Sequence, residues 1–227
     1  LVVLLHPDLG GRDTWGFNSE VQFLASRGYA VLQPNYRGSA GYTWMFPEQD
    51  AWEFRKMRDD VTRATRTAID MGLVDRSRVA VMGTSFGGYL AVSSAVFEPG
   101  LYKCALSVSA FYDWGRYIRQ NKYQQFSSPE YSRLVYKLGD PGKNPEKFDG
   151  LSPLRHGEAI RSALFIAWGE FDTPELISQS KDMASAADRN HVPTETMSFL
   201  DEAGGVHHLS HQIELHAHIE AFLSKNL

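Results

Sequence analysis

At 227 residues, with a formal charge of −4, 43% hydrophobic and 22% charged residues, the chain has the composition of a folded globular domain. It carries no basic surplus or Lys/Arg run of the kind that binds a phosphate backbone, so nucleic acid is excluded as an expected partner. Its apolar runs, Val79–Met82 and Leu101–Val108 among them, are too short to span a bilayer, and a soluble domain with no membrane partner is expected.

Leu1–Leu5 reads as a core strand, and its abrupt start without Met or lead-in points to the interior of a longer protein. Asn18–Arg27 reads as a helix stopped by Gly28, and Ala30–Gln33 as the next strand. Asp59–Met71 follows as a helix with Val61, Ala64, Ala68 and Met71 in register, stopped by Gly72. Then come a strand at Val79–Met82, a helix at Phe86–Phe97 and a strand at Cys104–Val108. Cys104, alone in the sequence, can form no internal disulfide and reads as packing; it leaves the cellular compartment open. The stretch 111–161 breaks the alternation and is expected to form a cap-like excursion over the sheet. A strand at Ala163–Ala167, a helix at Pro174–Asp188, a strand at Thr196–Phe199 and a helix at Ser210–Leu223 complete the chain. Strands alternating with helices predict a single α/β domain over 1–227 with a mostly parallel sheet flanked by helices.

The strongest chemical signal is Gly83-Thr84-Ser85-Phe86-Gly87, because it lies between an expected strand and an expected helix. Small residues at both ends of G-x-S-x-G let the chain turn so sharply that the serine oxygen projects above the sheet, the nucleophile elbow of the α/β-hydrolase fold. A serine hydroxyl needs an imidazole base, and the imidazole needs an acid to fix its tautomer. In this fold the chain order is Ser, acid, His. Asp172, in the loop after the strand Ala163–Ala167, is the acid on this reading. The competing role for Asp172 is an N-cap of the helix at Pro174, and Glu170 and Glu175 are weaker acid candidates.

The segments Asn35-Tyr36-Arg37-Gly38-Ser39-Ala40-Gly41-Tyr42, Gly72-Leu73-Val74-Asp75, Ser85-Phe86-Gly87-Gly88-Tyr89, Ser152-Pro153-Leu154 and Ile219-Glu220-Ala221-Phe222-Leu223, together with Asp60, span nearly the whole chain. Together they resemble the catalytic domain of the prolyl oligopeptidase family of serine peptidases, nearest its acylaminoacyl-peptidase-like branch. The resemblance implies an α/β-hydrolase fold, no cofactor, short peptides or small esters and amides as substrates, and an amino-terminal β-propeller that nothing in this sequence encodes.

Two departures from the family pattern bear on activity. The family's His-Gly-Gly-Pro, whose backbone N–H helps form the oxyanion hole, is His6-Pro7-Asp8-Leu9 here. Pro7 has no N–H, which leaves Asp8 and the N–H of Phe86 as the expected oxyanion donors, with the Asp8 carboxylate electrostatically unhelpful. The family's Glu-Gly-His-Gly is Glu202-Ala203-Gly204-Gly205, so counting back from Phe222-Leu223 puts Gly204 where the imidazole is expected. His207 is carried as the candidate base, with His208 as its alternative; either reaches Ser85 only if the loop bulges at its glycines, and the plainer reading of both is a loop surface.

His207, His208, His211, His216 and His218 form a histidine-rich tract, but no carboxylate or cysteine completes a zinc pattern such as H-E-x-x-H, so no metal is expected. Arg37 reads as structural, and Trp15, Trp44, Trp52, Trp114 and Tyr117 as core or pocket lining. Two functional classes remain: a serine hydrolase acting through Ser85, or an impaired relative that keeps the fold for binding or scaffolding.

Overall fold

The computed structural model describes residues 1–47, 50–124 and 129–227; positions 125–128 of the expected excursion lie outside the described residues. Among the described residues six strands form one parallel sheet: β1 (Val2–Leu5), β2 (Val31–Leu32), β3 (Ala80–Thr84), β4 (Cys104–Val108), β5 (Ala163–Gly169) and β6 (Thr194–Phe199), in the order β2-β1-β3-β4-β5-β6. Strands β1, β3, β4 and β5 are buried on both sides, which is why they read as nearly unbroken apolar runs, whereas the edge strands β2 and β6 are partly exposed. Alternate side chains feed two cores. Val3, Leu5 and Val81 join the larger one, and Val2, Leu4 and Met82 the other.

The helices divide accordingly. Leu24 of α1 (Ser19–Ser26) and Leu215, Ile219 and Phe222 of α8 (Leu209–Asn226) cover the smaller core. Helices α2 (Phe54–Asp70), α3 (Phe86–Phe97) and α7 (Pro174–Arg189) pack on the other. Helix α2 starts five residues ahead of its expected start at Asp59, because Phe54, Met57 and Arg58 are already buried. The charged run Arg55, Lys56, Arg58 hides that turn in the sequence, and Arg58 spends its charge against the Phe97 ring, 4.1 Å away. Arg37 and Asp60 form a bidentate pair at 2.7 and 2.6 Å that ties the loop after β2 to α2.

Between β4 and β5 the chain forms α4 (Trp114–Gln124), α5 (Pro129–Leu138), α6 (Pro145–Leu151) and a 3₁₀ segment at Pro153–Ala159. They are attached by apolar packing, with Trp114, Ile118, Leu134, Leu138, Phe148 and Leu151 joining the larger core, and by polar ties. Gln179 of α7 accepts from the N–H groups of Tyr112 and Asp113, Arg155 donates to Asp113 at 2.9 Å, and the Tyr89 hydroxyl donates to the Leu151 carbonyl at 2.8 Å. Cys104 is buried in β4, and burial pushes its thiol up to about 12, as befits a packing residue. Among the described residues no helix is long and apolar enough to cross a membrane.

The register aligns the strand ends: Leu5 pairs with Gly83, Gly83 with Ser107, Ser107 with Ile166 and Ile166 with Thr196. The loops leaving this row therefore gather at the carboxyl edge. Strand β3 sits beside β1, where the strand order reverses, the usual place for a ligand crevice in an open parallel sheet.

Candidate active site

Between β3 and α3 the chain turns on Ser85, whose φ of +53° and ψ of −121° lie in a region that side chains rarely enter. The turn is held on both sides: the Ser85 N–H donates to the Val108 carbonyl at 2.8 Å, and its carbonyl accepts from Tyr89 N–H at 3.0 Å. The two glycines of the motif have a steric cause. A Cβ at Gly83 would stand 2.5 Å from the Gly87 carbonyl carbon, and one at Gly87 would collide with the Leu5 carbonyl oxygen. Helix α3 is buried from Phe86 to Val96, while Ser85 at its head is exposed.

Asp172 lies in the loop after β5 and is buried. Its Oδ2 accepts from the Ser109 hydroxyl and the Gly169 N–H, both at 2.9 Å, and its Oδ1 accepts from the Gly204 N–H at 2.6 Å. The capping alternative for Asp172 is corrected: Thr173 is the N-cap of α7, with its side-chain oxygen 3.4 Å from Leu176 N. Glu170 accepts from the Trp168 indole, and Glu175 pairs with Arg116 at 2.6 Å and Gln179 at 2.8 Å, so both weaker acid candidates are occupied elsewhere. Ser109, itself at φ +46°, is a positioning residue that sequence reasoning missed; nothing in its surroundings in the chain advertises it.

Gly204 therefore meets Asp172 through its backbone. It holds φ +68°, and a Cβ there would find nothing within 4 Å, so the space is open. Glu202 organises the rest of the loop: it is almost completely buried and accepts from the N–H groups of His207 and His208 and from the rings of His208 and His211. Burial pushes its carboxyl up, but those hydrogen bonds outweigh burial and bring it to about 2. The loop comes this close to the sheet because Gly169 has no side chain; a Cβ there would strike the Glu202 carbonyl.

His207 is exposed, and its Nε2 lies 3.1 Å from the Ala203 carbonyl oxygen. Among the described residues no hydrogen bond joins an imidazole to Ser85 or Asp172. The His207 ring is 3.4 Å from the Cβ position of Gly205, which in turn is 3.9 Å from the Thr84 methyl.

On the opposite flank, the Phe86 N–H does not stand open as expected: it donates to the Pro7 carbonyl oxygen at 3.2 Å. Asp8 is exposed, and its carbonyl accepts from Gly11 N–H at 3.1 Å and lies 3.0 Å from His6 Nδ1. His6 is buried, stacked on Tyr36 at 4.2 Å and bonded to Ser39 at 3.0 Å, and burial lowers its pKa. A buried ring anchored on two sides holds the following Pro7 peptide against the elbow.

Beside Ser85 opens a cleft of about 630 Å³, lined by Asp8, Trp52, Trp114, Tyr117 and Arg133 among others. Of the aromatic candidates, Trp52, Trp114 and Tyr117 line it, whereas Trp15 is fully exposed and Trp44 lies outside the lining. The Trp114 indole N–H is buried and has no hydrogen-bond partner among the described residues. The Arg133 guanidinium lies 5.4 Å from the Trp52 ring centre, giving the cleft a positive charge over an aromatic floor.

A profile of the prolyl oligopeptidase family matches residues 15–227. Dipeptidyl aminopeptidase BIII of Pseudoxanthomonas mexicana is 29% identical over all of this chain and 33% of its own length. Dipeptidyl peptidase family member 6 of Caenorhabditis elegans is 28% identical over all of this chain and 31% of its own. The chain thus spans about a third of the length of these relatives. Among solved structures, a Mycobacterium tuberculosis puromycin-hydrolyzing peptidase superimposes with a TM-score of 0.87 at 23% identity, covering 100% of this chain and 34% of that one. Pyrococcus horikoshii acylaminoacyl peptidase gives 0.83 at 22% identity, covering 100% and 37%. At these identities the two superpositions establish the shared α/β-hydrolase fold.

Proposed function

The chain belongs to the prolyl oligopeptidase family, and from that premise we propose that it binds short peptides or acyl-amino acids in the cleft beside Ser85 while turning them over far more slowly than an intact triad does. The observation that carries this reading is Gly204: the acid Asp172 is bonded to a backbone N–H where the reaction requires an imidazole. Hydrolysis would begin with Ser85 Oγ attacking the substrate carbonyl as a base removes its proton, and would continue as that proton passes to the leaving amine. Without a base the hydroxyl stays protonated, and losing the triad histidine costs on the order of 10⁴ to 10⁶ in turnover. The Pro7 carbonyl on Phe86 N–H adds a second obstacle at the same step, because an oxyanion there would meet a carbonyl oxygen and one fewer donor.

Binding is supported by the cleft itself. Its aromatic lining and the Arg133 charge suit a peptide with apolar side chains and an acidic group to pair. The relatives are named as peptidases, which favours peptides over other acyl compounds.

The position of His207 beside Gly205 favours a second reading, in which this ring swings to Ser85 and serves as the base, with Asp172 orienting it and Phe86 and Asp8 supplying the oxyanion donors. A fluorophosphonate probe and a panel of dipeptide and acyl-amino-acid anilides separate the two. Slow or absent labelling, with saturable peptide binding that survives Ser85→Ala, is the expected result. Turnover that is lost in both Ser85→Ala and His207→Gln overturns the proposal in favour of the second reading.

A further inference from the structure

The loop that carries Gly204 ends in a cluster that the hydrolase reading does not use. His208 Nδ1 and His211 Nδ1 both point at one oxygen, Glu202 Oε1, at 2.9 and 3.0 Å. The same oxygen also accepts the His208 backbone N–H at 2.8 Å, so three nitrogens crowd a single atom that has two lone pairs. Asp201 Oδ1 approaches from the other side, 3.6 Å from His211 Nδ1. One ligand atom each of Asp201, His208 and His211 lies within 4.8 Å of the other two.

We propose that Asp201, Glu202, His208 and His211 form a binding site for one divalent transition ion of the zinc class. Two carboxylates and two neutral imidazoles balance the charge of a dication and supply the four ligands that such an ion takes tetrahedrally. At zinc–nitrogen and zinc–oxygen bonds of about 2.0–2.1 Å, tetrahedral ligand atoms stand about 3.3 Å apart. The contacts of 2.9, 3.0 and 3.6 Å bracket that spacing. Imidazole nitrogen selects zinc, nickel or copper over calcium and magnesium, which demand oxygen.

The supporting shell is already built. The N–H groups of His207 and His208 hold the Glu202 carboxylate, and the Phe199 ring lies 4.9 Å from the His211 ring and fixes its orientation. With the ion on Nδ1, each imidazole carries its proton on Nε2. The sequence hid this set because its carboxylates come from the loop after β6, six or more residues before the first imidazole, and the two histidines are three apart rather than four. An ion here would tie both ends of the loop 201–208 together and so fix Gly204 against Asp172. The site does not depend on whether Ser85 turns over.

Calorimetric titration of the metal-stripped chain with Zn²⁺ at pH 7.5, with Mg²⁺ and Ca²⁺ in parallel, tests it. One Zn²⁺ per chain is expected, with His211→Gln and His208→Gln each weakening binding by about tenfold or more, His218→Gln leaving it unchanged, and Mg²⁺ and Ca²⁺ giving no comparable heat. Co²⁺ should give the visible absorption of a tetrahedral site, lost in the same two variants. His208 is exposed, so its variant reads out binding even if His211→Gln perturbs the fold. No saturable Zn²⁺ binding by the folded chain, or binding equally tight in both variants, overturns the proposal.

Discussion

The elbow at residues 83–88 and the loop at 201–208 face each other across the carboxyl edge of the sheet, yet they have kept different things. The elbow retains a costly backbone: Ser85 sits at φ +53° between glycines that admit no side chain, and its hydroxyl is presented to solvent. The loop retains its anchor but presents no imidazole to it: Asp172 accepts three hydrogen bonds, and the residue it meets is a glycine. Strain is informative because it persists only where surrounding structure over-determines it. At the elbow that surrounding is the packed head of α3 and the Val108 and Leu5 carbonyls, which would survive the loss of catalysis unchanged. A preserved nucleophile geometry is therefore weaker evidence for turnover than the state of the residue facing it.

The largest effect should come from adding an imidazole at position 204 and a backbone N–H at position 7. Gly204→His combined with Pro7→Gly is expected to raise Ser85-dependent ester hydrolysis by about 10² to 10⁴, because base and oxyanion donor act in one step. The space at Gly204 admits a side chain, and histidine tolerates the left-handed φ better than most residues. Unchanged rates in the folded variant would mean that the loop is not what separates this domain from an active one.

Next in size is Asp172→Ala, which strands the Ser109 hydroxyl and the Gly169 and Gly204 N–H groups in a buried place. A loss of about 2–3 kcal/mol is expected, or roughly 5–10 °C in Tm, measured by thermal denaturation. No loss would show that the Asp172 anchor is dispensable to the fold. Ser85→Gly tests the other side of the comparison: relief of the elbow's backbone should stabilise the chain by about 1 kcal/mol in urea titration, whereas destabilisation would show that the hydroxyl itself holds the turn.

The smallest effect is acid sensitivity of the loop. The Glu202 carboxyl lies at about 2 against an ordinary 4.5, so its anionic form favours the folded state. That contribution is present above pH 4.5 and is lost as the pH falls towards 2, and Glu202→Gln should be less stable at neutral pH with a flatter acid limb. Parallel acid limbs for the two proteins would remove Glu202 from the account.

Much of the frame was legible. The six strands and helices α1, α3, α7 and α8 fall within a few residues of where periodicity and punctuation put them, since the buried inner strands of a parallel sheet are apolar runs that stand out in a sequence, whereas the sequence marks α4, α5 and α6 only as one excursion. The start of α2 was less legible because Arg55, Lys56 and Arg58 disguise a buried turn. The places of Ser85 at a sharp strand-to-helix turn and of Asp172 in the loop after β5 were legible from local context alone. The partners of Asp172 were not, because Ser109 lies 63 residues away and Gly204 contributes only its backbone.

What the chain determined by itself was the α/β layering, the sharp turn at Ser85 and the absence of a histidine at position 204, all of them set by residue type over a few neighbours. What only the tertiary structure decided was which groups are already occupied: the Phe86 N–H by the Pro7 carbonyl, the Asp172 carboxylate by three donors, and one Glu202 oxygen by two imidazoles. Hydrogen-bond capacity is a local property that sequence reveals. Its satisfaction depends on atoms brought within about 3 Å from distant segments, and only the closed fold sets that distance.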